Sequence, residues 1–162
     1  MTLEGHADAV CVLAALGMGR LASGSMDHLV KIWDVGAGLC VTTLVAHTGP
    51  VRAIAVLDAG RLASGSQDGT VTIWDVAIAR GIATHTPSEH ARGVLALAAF
   101  GAGRLASGSQ EDETIAVWEW EPAVPKKLIM VRPAPKGMRK RAHENQRGES
   151  AKYTSAGRSL RR

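Results

Sequence analysis

Three residue types that together can perform nucleophilic catalysis recur at a fixed spacing in this chain. Each set begins with a histidine: His6, His47 and His90. A serine follows each histidine after 17 residues: Ser23, Ser64 and Ser107. With an aspartate, these types form the triad in which histidine takes the proton of the attacking serine. A nucleophile occurs once in an enzyme, whereas this set occurs three times, so the repetition favours a structural role in which buried polar groups satisfy one another.

The sets belong to an internal repeat, whose clearest copy is the segment RLASGSQDGTVTIWD at residues 61–75. Its first half returns unchanged at residues 20–25 and 104–109. The terminal Trp-Asp returns at residues 33–34 and, altered to Trp-Glu, at residues 118–119. The histidines are 41 and then 43 residues apart, and the extra residues fall before His90. A period near forty residues indicates a repeat architecture.

Each repeat is predicted to form four short antiparallel strands. The Asp-Gly pair at residues 68–69 is a strong hairpin signal, and the alternating residues up to Trp74 suit a pleated strand. The first strands are predicted at 10–15, 51–57 and 94–100, the second at the RLASGS segments, the third ending at each tryptophan, and the fourth at 40–45, 81–84 and 127–131. The pattern predicts an all-β chain without a helix of useful length.

These residues resemble the signature of the WD-repeat family. Gly5-His6, then LASGS, a turn aspartate and Trp-Asp at a period near forty are typical of that family. Ala46 and Glu89 replace the glycine before the second and third histidines. The resemblance covers residues 1 to about 121 and implies three consecutive blades, about 1–45, 46–85 and 86–131, of an incomplete β-propeller.

The resemblance also implies a hydrogen-bonded tetrad of histidine, serine, aspartate and tryptophan in each blade. The first is implied to be His6, Ser23, Asp27 and Trp33. The second is implied to be His47, Ser64, Asp68 and Trp74. The third is implied to be His90, Ser107, Asp112 and Trp118. Two alternatives stay open: Glu111 in place of Asp112, and the serines Ser25, Ser66 and Ser109, which point to the same strand face.

Charge divides the chain into two parts. Residues 1–125 hold 7 Lys/Arg and 13 Asp/Glu, and residues 126–162 hold 12 and 2, for net charges of −6 and +10. Residues 132–162 have few large apolar side chains, so a disordered basic tail is predicted. Its candidate binding residues are Lys136, Arg139, Lys140, Arg141, Arg147, Lys152, Arg158, Arg161 and Arg162. Such an arm can bind nucleic acid or another polyanion without reading its sequence.

The cellular context is predicted from what the sequence does not contain. Cys11 and Cys40 have no paired metal-ligand spacing, so neither a metal site nor a disulfide framework is expected. The acidic residues Glu4 and Asp8 occupy the place of a basic signal-peptide region. No apolar run approaches the roughly 18 residues that a membrane span needs. We therefore expect an intracellular protein, cytoplasmic or nuclear, without membrane contact.

Propellers close with about 4–8 blades, and this chain supplies three. An unclosed stack leaves the outer faces of its end blades uncovered, and large apolar patches are unusual in monomers. Three explanations remain open: a partial gene model of a larger propeller, self-association of two copies into six blades, and docking onto another protein.

The resemblance implies a non-catalytic scaffold that presents loops to partner proteins, and the sequence shows no phosphate-binding loop, unique acid–base pair or cofactor motif. Binding residues concentrate on loops. The predicted loop surface consists of eight residues at the histidine end of the hairpins: Asp8, Met26, His28, Thr48, Gln67, Arg92, Gln110 and Glu111. Polyanion binding by the basic tail is the alternative function.

Overall fold

Three four-stranded antiparallel sheets, here called blades, follow one another along the chain. The computed structural model describes residues 1–58, 60–85, 93–101, 103–109, 115–119 and 129–130. The first blade contains β1 (Val10–Gly17), β2 (Arg20–Ser25), β3 (Val30–Asp34) and β4 (Leu39–Leu44). The second contains β5 (Val51–Asp58), β6 (Arg61–Ser66), β7 (Val71–Asp75) and β8 (Arg80–His85). The third contains β9 (Val94–Phe100), β10 (Arg104–Ser109), β11 (Ile115–Glu119) and β12 (Ile129–Met130).

The predicted all-β fold with three consecutive four-stranded blades is confirmed. In each blade the strands pair in chain order, so every connection is a hairpin. Predicted and observed strands differ only at their ends; β1 and β5, for example, extend to Gly17 and Asp58. None of the described residues forms a helix long and apolar enough to cross a membrane.

The turns between the second and third strands explain why the Asp-Gly signal is strongest in the second repeat. Gly69 has a φ of 84°, and His28 occupies the equivalent left-handed position with a φ of 72°. Glycine adopts such angles without steric penalty, whereas histidine does so less readily. Both turns close through a backbone hydrogen bond, of 3.2 Å from His28 N–H to Ser25 O and 3.1 Å from Gly69 N–H to Ser66 O.

Each blade has two different faces, because successive side chains of a strand point to opposite sides. On β2 and β3 of the first blade, the register pairs Leu21 with Trp33 on one side and Ala22 with Ile32 on the other. We call the first side the tryptophan face. The other side is the glycine face, because it includes the glycine of each RLASGS segment.

The blades stack with the glycine face of one against the tryptophan face of the next. Ala22, Val30 and Ile32 of the first blade share a buried cluster with Val51 and Trp74 of the second. The equivalent residues of the second blade share another cluster with Val94, Leu105 and Trp118 of the third. The two seams between blades therefore form the hydrophobic core.

Glycine is needed in the seams because the next blade lies against the backbone there. A Cβ at Gly24 would lie 2.5 Å from Val51 Cγ1, and a Cβ at Gly65 would lie 2.6 Å from Val94 Cγ1. Both distances are shorter than carbon atoms tolerate without a shift of the neighbour. The first-strand valine of one blade thus sits on the glycine of the preceding blade.

The predicted boundary at residue 131 and the predicted disorder of residues 132–162 fall on a part of the chain outside the described residues. Both stay predictions.

Candidate functional site

The structure brings together the four side chains predicted for the first blade. His6 reaches from the loop before β1 and places Nε2 2.7 Å from Ser23 Oγ and Nδ1 2.7 Å from Asp27 Oδ2. The indole Nε1 of Trp33 donates a 2.7 Å hydrogen bond to the same Ser23 oxygen. The chain of contacts Trp33–Ser23–His6–Asp27 joins strands β2 and β3, the turn between them and the loop before β1.

This geometry assigns the protons of the first tetrad. Ser23 Oγ accepts from the indole N–H, so its single proton is available to His6 Nε2. The other imidazole nitrogen then carries the proton and donates it to the Asp27 carboxylate, which also accepts from Ala7 N–H at 2.9 Å. Every donor has an acceptor, so the tetrad can be buried without an unsatisfied group.

The second blade repeats the arrangement with one additional member, Thr70. His47 Nε2 lies 2.7 Å from Ser64 Oγ, which accepts a 2.7 Å hydrogen bond from Trp74 Nε1. His47 Nδ1, however, lies 2.8 Å from Thr70 Oγ1 and 3.4 Å from Asp68 Oδ2. Thr70 Oγ1 in turn donates to Asp68 Oδ1 at 2.6 Å, so a hydroxyl relays the contact between histidine and aspartate.

Sequence reasoning missed Thr70, although the sequence contains a signal for it. Thr70 follows Asp68 by two residues, and the equivalent residue of the first blade is Leu29, which has no hydroxyl. In both blades the backbone N–H at this position donates to the turn aspartate, at 3.0 Å for Leu29 and 2.9 Å for Thr70. A threonine here therefore brings its hydroxyl beside the carboxylate.

The third blade is described only in part. Trp118 Nε1 donates a 2.7 Å hydrogen bond to Ser107 Oγ, which matches the serine–tryptophan contact of the first two blades. His90, Asp112 and the alternative Glu111 lie outside the described residues, so their roles stay predictions.

The alternative serines of the first two blades, Ser25 and Ser66, make hydrogen bonds outside the tetrads. Ser25 Oγ donates to Asp8 O at 3.0 Å, and Ser66 Oγ donates to Gly49 O at 2.9 Å. Both oxygens also accept from the backbone N–H of the turn aspartate, at 3.1 Å. These serines therefore join the loop before the first strand to the turn between the second and third strands.

Burial and hydrogen bonding shift the pKa values of the tetrads in defined directions. Burial acts to raise the pKa of the Asp27 carboxyl, but hydrogen bonds from Ala7, His6 and Leu29 outweigh it and hold that pKa below its usual value. Burial likewise opposes the bonds from Thr70 and Thr48 at Asp68, whose pKa is also lowered.

The imidazole of the second blade is shifted by its surroundings as well. Burial lowers the pKa of His47, and the nearby Asp68 carboxylate opposes that shift without reversing it. His47 is therefore neutral at pH 7, in agreement with the proton assignment in which Nε2 accepts from a serine hydroxyl.

The tetrads contain the residue types of a catalytic triad, but their hydrogen bonds are those of a structural network that holds the loop to the strands. Ser23 and Ser64 are buried, and each oxygen is engaged by both an indole N–H and an imidazole. A nucleophilic serine needs an oxygen that a substrate can reach. Among the described residues there is also no group of three His, Cys, Asp or Glu side chains that could hold a metal ion.

The predicted loop surface begins with three residues of the first blade, at the end where the histidine loop meets the β2–β3 turn. Met26 N–H donates to Ala9 O at 2.9 Å, which fixes the turn against the loop that carries Asp8. Met26 and Asp8 are exposed, and His28 is half-buried at the apex of the turn. The three side chains thus occupy one end of the blade.

The second blade contributes Thr48 and Gln67 at the same end. Gln67 N–H donates to Pro50 O at 2.9 Å, and Thr48 N–H donates to Asp68 Oδ2 at 2.7 Å. Both residues are exposed. Arg92, Gln110 and Glu111, which complete the predicted loop surface, lie outside the part that the structure describes, as do the nine candidate binding residues of the tail.

Arg52 is a member of this end of the molecule that sequence reasoning missed. Its guanidinium donates to Gln67 Oε1 at 3.4 Å and to Cys11 Sγ of the first blade at 3.6 Å. Arg52 therefore bridges the first two blades beside the loop surface. Its position on β5 gave no signal, because the equivalent residues Cys11 and Leu95 have other chemistry.

Comparison with known proteins identifies repeats in the first two blades. Residues 1–34 and 38–75 match the family model WD40, described as "WD domain, G-beta repeat". One relative, polyadenylation factor subunit 2 of Neurospora crassa, is 51% identical over 45 residues, which is 27% of this chain and 7% of that protein. The matched segment is thus a small part of that relative.

Solved structures share the fold. The computationally designed Ika4 protein has a TM-score of 0.66 and 28% identity, covering 83% of this chain and 79% of its own. The designed Ika8 protein has a TM-score of 0.65 and 29% identity, covering 79% of this chain and 37% of its own. The WD40 β-propeller domain of Doa1 has a TM-score of 0.66 and 24% identity, covering 82% and 43%. The chain spans less than half of the last two.

Proposed function

Because this chain belongs to the WD-repeat family, we propose that it is a non-catalytic scaffold that binds partner proteins through the loop surface. The observation that carries the proposal is the placement of Asp8, Met26, His28, Thr48 and Gln67 at one end of two adjacent blades. Loops held on a rigid scaffold are where binding residues concentrate.

The loop surface is held in place by hydrogen bonds from beneath. In each of the first two blades, one serine hydroxyl and one backbone N–H join the β-turn to the histidine loop, and the tetrad anchors that loop to the strands. A surface ordered before binding loses little conformational entropy when a partner docks. Preorganisation therefore favours this end as the binding surface.

A paired substitution tests the role of this end. In the first variant, Met26→Glu and Gln67→Glu place two charges on the loop surface. In the matched control, Met18→Glu and Ile78→Glu place two charges on exposed residues of the turns at the opposite end of the blades. The tagged 162-residue chains are expressed in the source cells, and associated proteins are quantified by mass spectrometry.

We expect the loop-surface variant to recover about tenfold less, or even less, of each partner protein that associates with the wild-type chain, since a charge at an interface core disrupts docking. The control variant should recover these partners as the wild type does. Equal recovery with both variants would show that partners bind elsewhere. Circular dichroism of both proteins verifies that the sheets are intact.

Polyanion binding by the basic tail is a second candidate, and the charge division of the chain favours it. Residues 126–162 have a net charge of +10, beside a body of −6. Deletion of 132–162 is expected to abolish binding to a single-stranded RNA homopolymer, and binding by the full chain is expected to fall with salt because counterions are released. Binding that survives the deletion, or that salt leaves unchanged, would refute this role.

A further inference from the structure

Each seam contains a contact between a valine and a glycine, and the two end faces of the stack carry one of these two residues each. In both seams, a first-strand valine of one blade sits on the glycine of the preceding blade. The stack has one valine of this type left over at its first end, Val10, and one glycine left over at its other end, Gly108. Both lie at the same register positions as the seam residues.

The first blade presents the unused valine half. Val10 lies four residues after His6, as Val51 lies four residues after His47 and Val94 four residues after His90. Val51 and Val94 are 0% exposed in the seams, whereas Val10 is 51% exposed. Beside it, Leu13 is exposed, although its equivalent Ile54 is buried in a seam. The tryptophan face of the first blade is therefore an apolar surface.

A groove in this face gives the uncovered surface its shape. The groove has a volume of about 580 Å³ and is lined by the apolar Leu3, Val10, Leu13 and Trp33, by Ser23, and by residues 4–6 and 8 of the loop that carries His6. In the second and third blades, the equivalent tryptophans, Trp74 and Trp118, pack against the glycine face of the preceding blade. The groove is where such a face would lie.

The third blade presents the unused glycine half. Ile115 pairs with Gly108 and is 75% exposed, while its equivalents Val30 and Val71 are buried in the seams at 0% and 1%. Phe100 of the same face is also exposed. Of the described residues, only Ala96 comes within 4 Å of a Cβ placed at Gly108, so the seat for a valine is open there.

We propose that a second copy of this chain covers both surfaces in a head-to-tail dimer. The tryptophan face of each copy packs on the glycine face of the other, with Val10 of one copy on Gly108 of its partner. A second copy fits because, in both seams, this chain already packs its own tryptophan face on its own glycine face. Two such contacts unite six blades, within the 4–8 blades of closed propellers.

Each contact joins two different faces of the chain, and the same contact occurs twice in the dimer, related by a twofold axis. A closed dimer therefore has C2 symmetry, whereas the same contact without closure would give an open-ended polymer. Of the loop surface, Asp8 borders the groove, whereas Met26 and Gln67, whose substitutions test the loop surface, do not line it. The dimer and the loop surface can therefore be tested separately.

Sedimentation velocity of the 162-residue chain, whose mass is 17.0 kDa, tests the proposal. The wild type is expected to sediment as a dimer, and Leu13→Lys and Ile115→Glu, each alone, as monomers, with a dissociation constant raised about 100-fold or more by a charge in an apolar contact. The matched control is Ile78→Glu, an isoleucine that is 63% exposed in a turn, which is expected to remain dimeric.

Mixing the two monomeric variants provides the decisive step. A pair of L13K and I115E chains retains one intact tryptophan face and one intact glycine face, and the other contact joins the new lysine to the new glutamate. The mixture is therefore expected to regain the dimer mass, which also shows that both variants are folded. A monomeric wild type, an open-ended polymer, or a dimer that only one of the two substitutions dissolves would overturn the head-to-tail proposal.

Discussion

The seams between blades and the two end faces of the stack are built from the same residue types and differ in what covers them. Val51 and Val10 occupy the same place in their repeats, yet one is fully buried and the other half-exposed. At the opposite face, Val71 is buried, whereas its equivalent Ile115 is 75% exposed. Position in the repeat therefore determines the type of residue, and the neighbouring blade determines how much that residue stabilises the fold.

The largest expected difference between seam and end concerns the tetrad tryptophans. Trp74→Ala should lower the free energy of unfolding by about 3–5 kcal/mol, because Trp74 packs in the first seam and its removal leaves a cavity. Trp33 is also buried, but it belongs to no seam cluster and borders the open groove, so Trp33→Ala should have a smaller effect because the surroundings can relax into the groove. Urea denaturation of both variants at pH 7 measures the difference.

Equal losses in the free energy of unfolding for the two tryptophan variants would contradict the comparison. Such a result would mean that each tryptophan stabilises the chain through the tetrad hydrogen bonds, which both blades share, and not through the seam.

The next effect separates an occupied glycine seat from an open one. Gly65→Ala should destabilise the chain by about 1–3 kcal/mol, because the added methyl group overpacks against Val94 and Leu97 of the third blade. Gly108→Ala has only Ala96 within contact among the described residues, at 3.7 Å, and should leave the stability of the single chain nearly unchanged. Denaturation at low protein concentration distinguishes the two, and a large loss in G108A would show that its seat is already filled.

A smaller effect is expected from the hydroxyl that distinguishes the second tetrad from the first. Thr70→Val keeps the shape of the side chain and removes the relay to Asp68, so it should cost about 1 kcal/mol. Leu29→Thr in the first blade serves as the reciprocal change and should be nearly neutral, since His6 already contacts Asp27 directly. Thermal unfolding of both variants measures the difference, and a neutral T70V would show that His47 turns to Asp68 without loss.

The smallest effect within the physiological range is a pH dependence from the buried imidazole. The pKa of His47 is lowered in the folded chain, so below its usual value of 6.5 the unfolded chain binds more protons. Stability should therefore be complete above pH 6.5 and fall as the pH drops toward the folded pKa. His47→Gln should flatten this part of the profile, and an unchanged profile in that variant would assign the dependence to another group.

The carboxylates of the two tetrads add a separate, more acidic phase. The pKa values of Asp27 and Asp68 lie below the usual 3.8 in the folded chain, so their contribution is present above that value and is lost as the pH falls through the folded pKa. Asp27→Asn should reduce this acidic loss, as measured by urea denaturation at pH values below 3.8, the usual pKa of the carboxyl.

The repeat predicted much of the fold, because its signals are local. The Asp-Gly turn, the alternating residues before Trp74 and the period near forty were sufficient for three four-stranded blades. The sequence could not predict which first-strand side chains lie on which face of a blade. β-Bulges between Val10 and Val12 and between Val51 and Ala53 break the period of two. A count along either strand from its first residue therefore places later side chains on the wrong face.

The tetrads were predictable as far as each repeat resembles the others. The structure joins His6, Ser23, Asp27 and Trp33 as the resemblance implied, whereas in the second blade Thr70 enters the chain of hydrogen bonds. Arg52 lay beyond prediction as well, because its contacts with Gln67 and Cys11 depend on how two blades stack. Contacts within one repeat could be predicted from the sequence, whereas contacts between repeats could not.

The central claim is that a first-strand valine seated on the glycine of the preceding blade holds the stack together. A double-mutant cycle between Gly65 and Val94 tests it most directly, because contacting residues couple and distant ones add. The account predicts that G65A and V94A are together less destabilising than the sum of the two single changes, by about 1 kcal/mol or more, since V94A makes room for the new methyl group. Additive effects within the error of urea denaturation would contradict it.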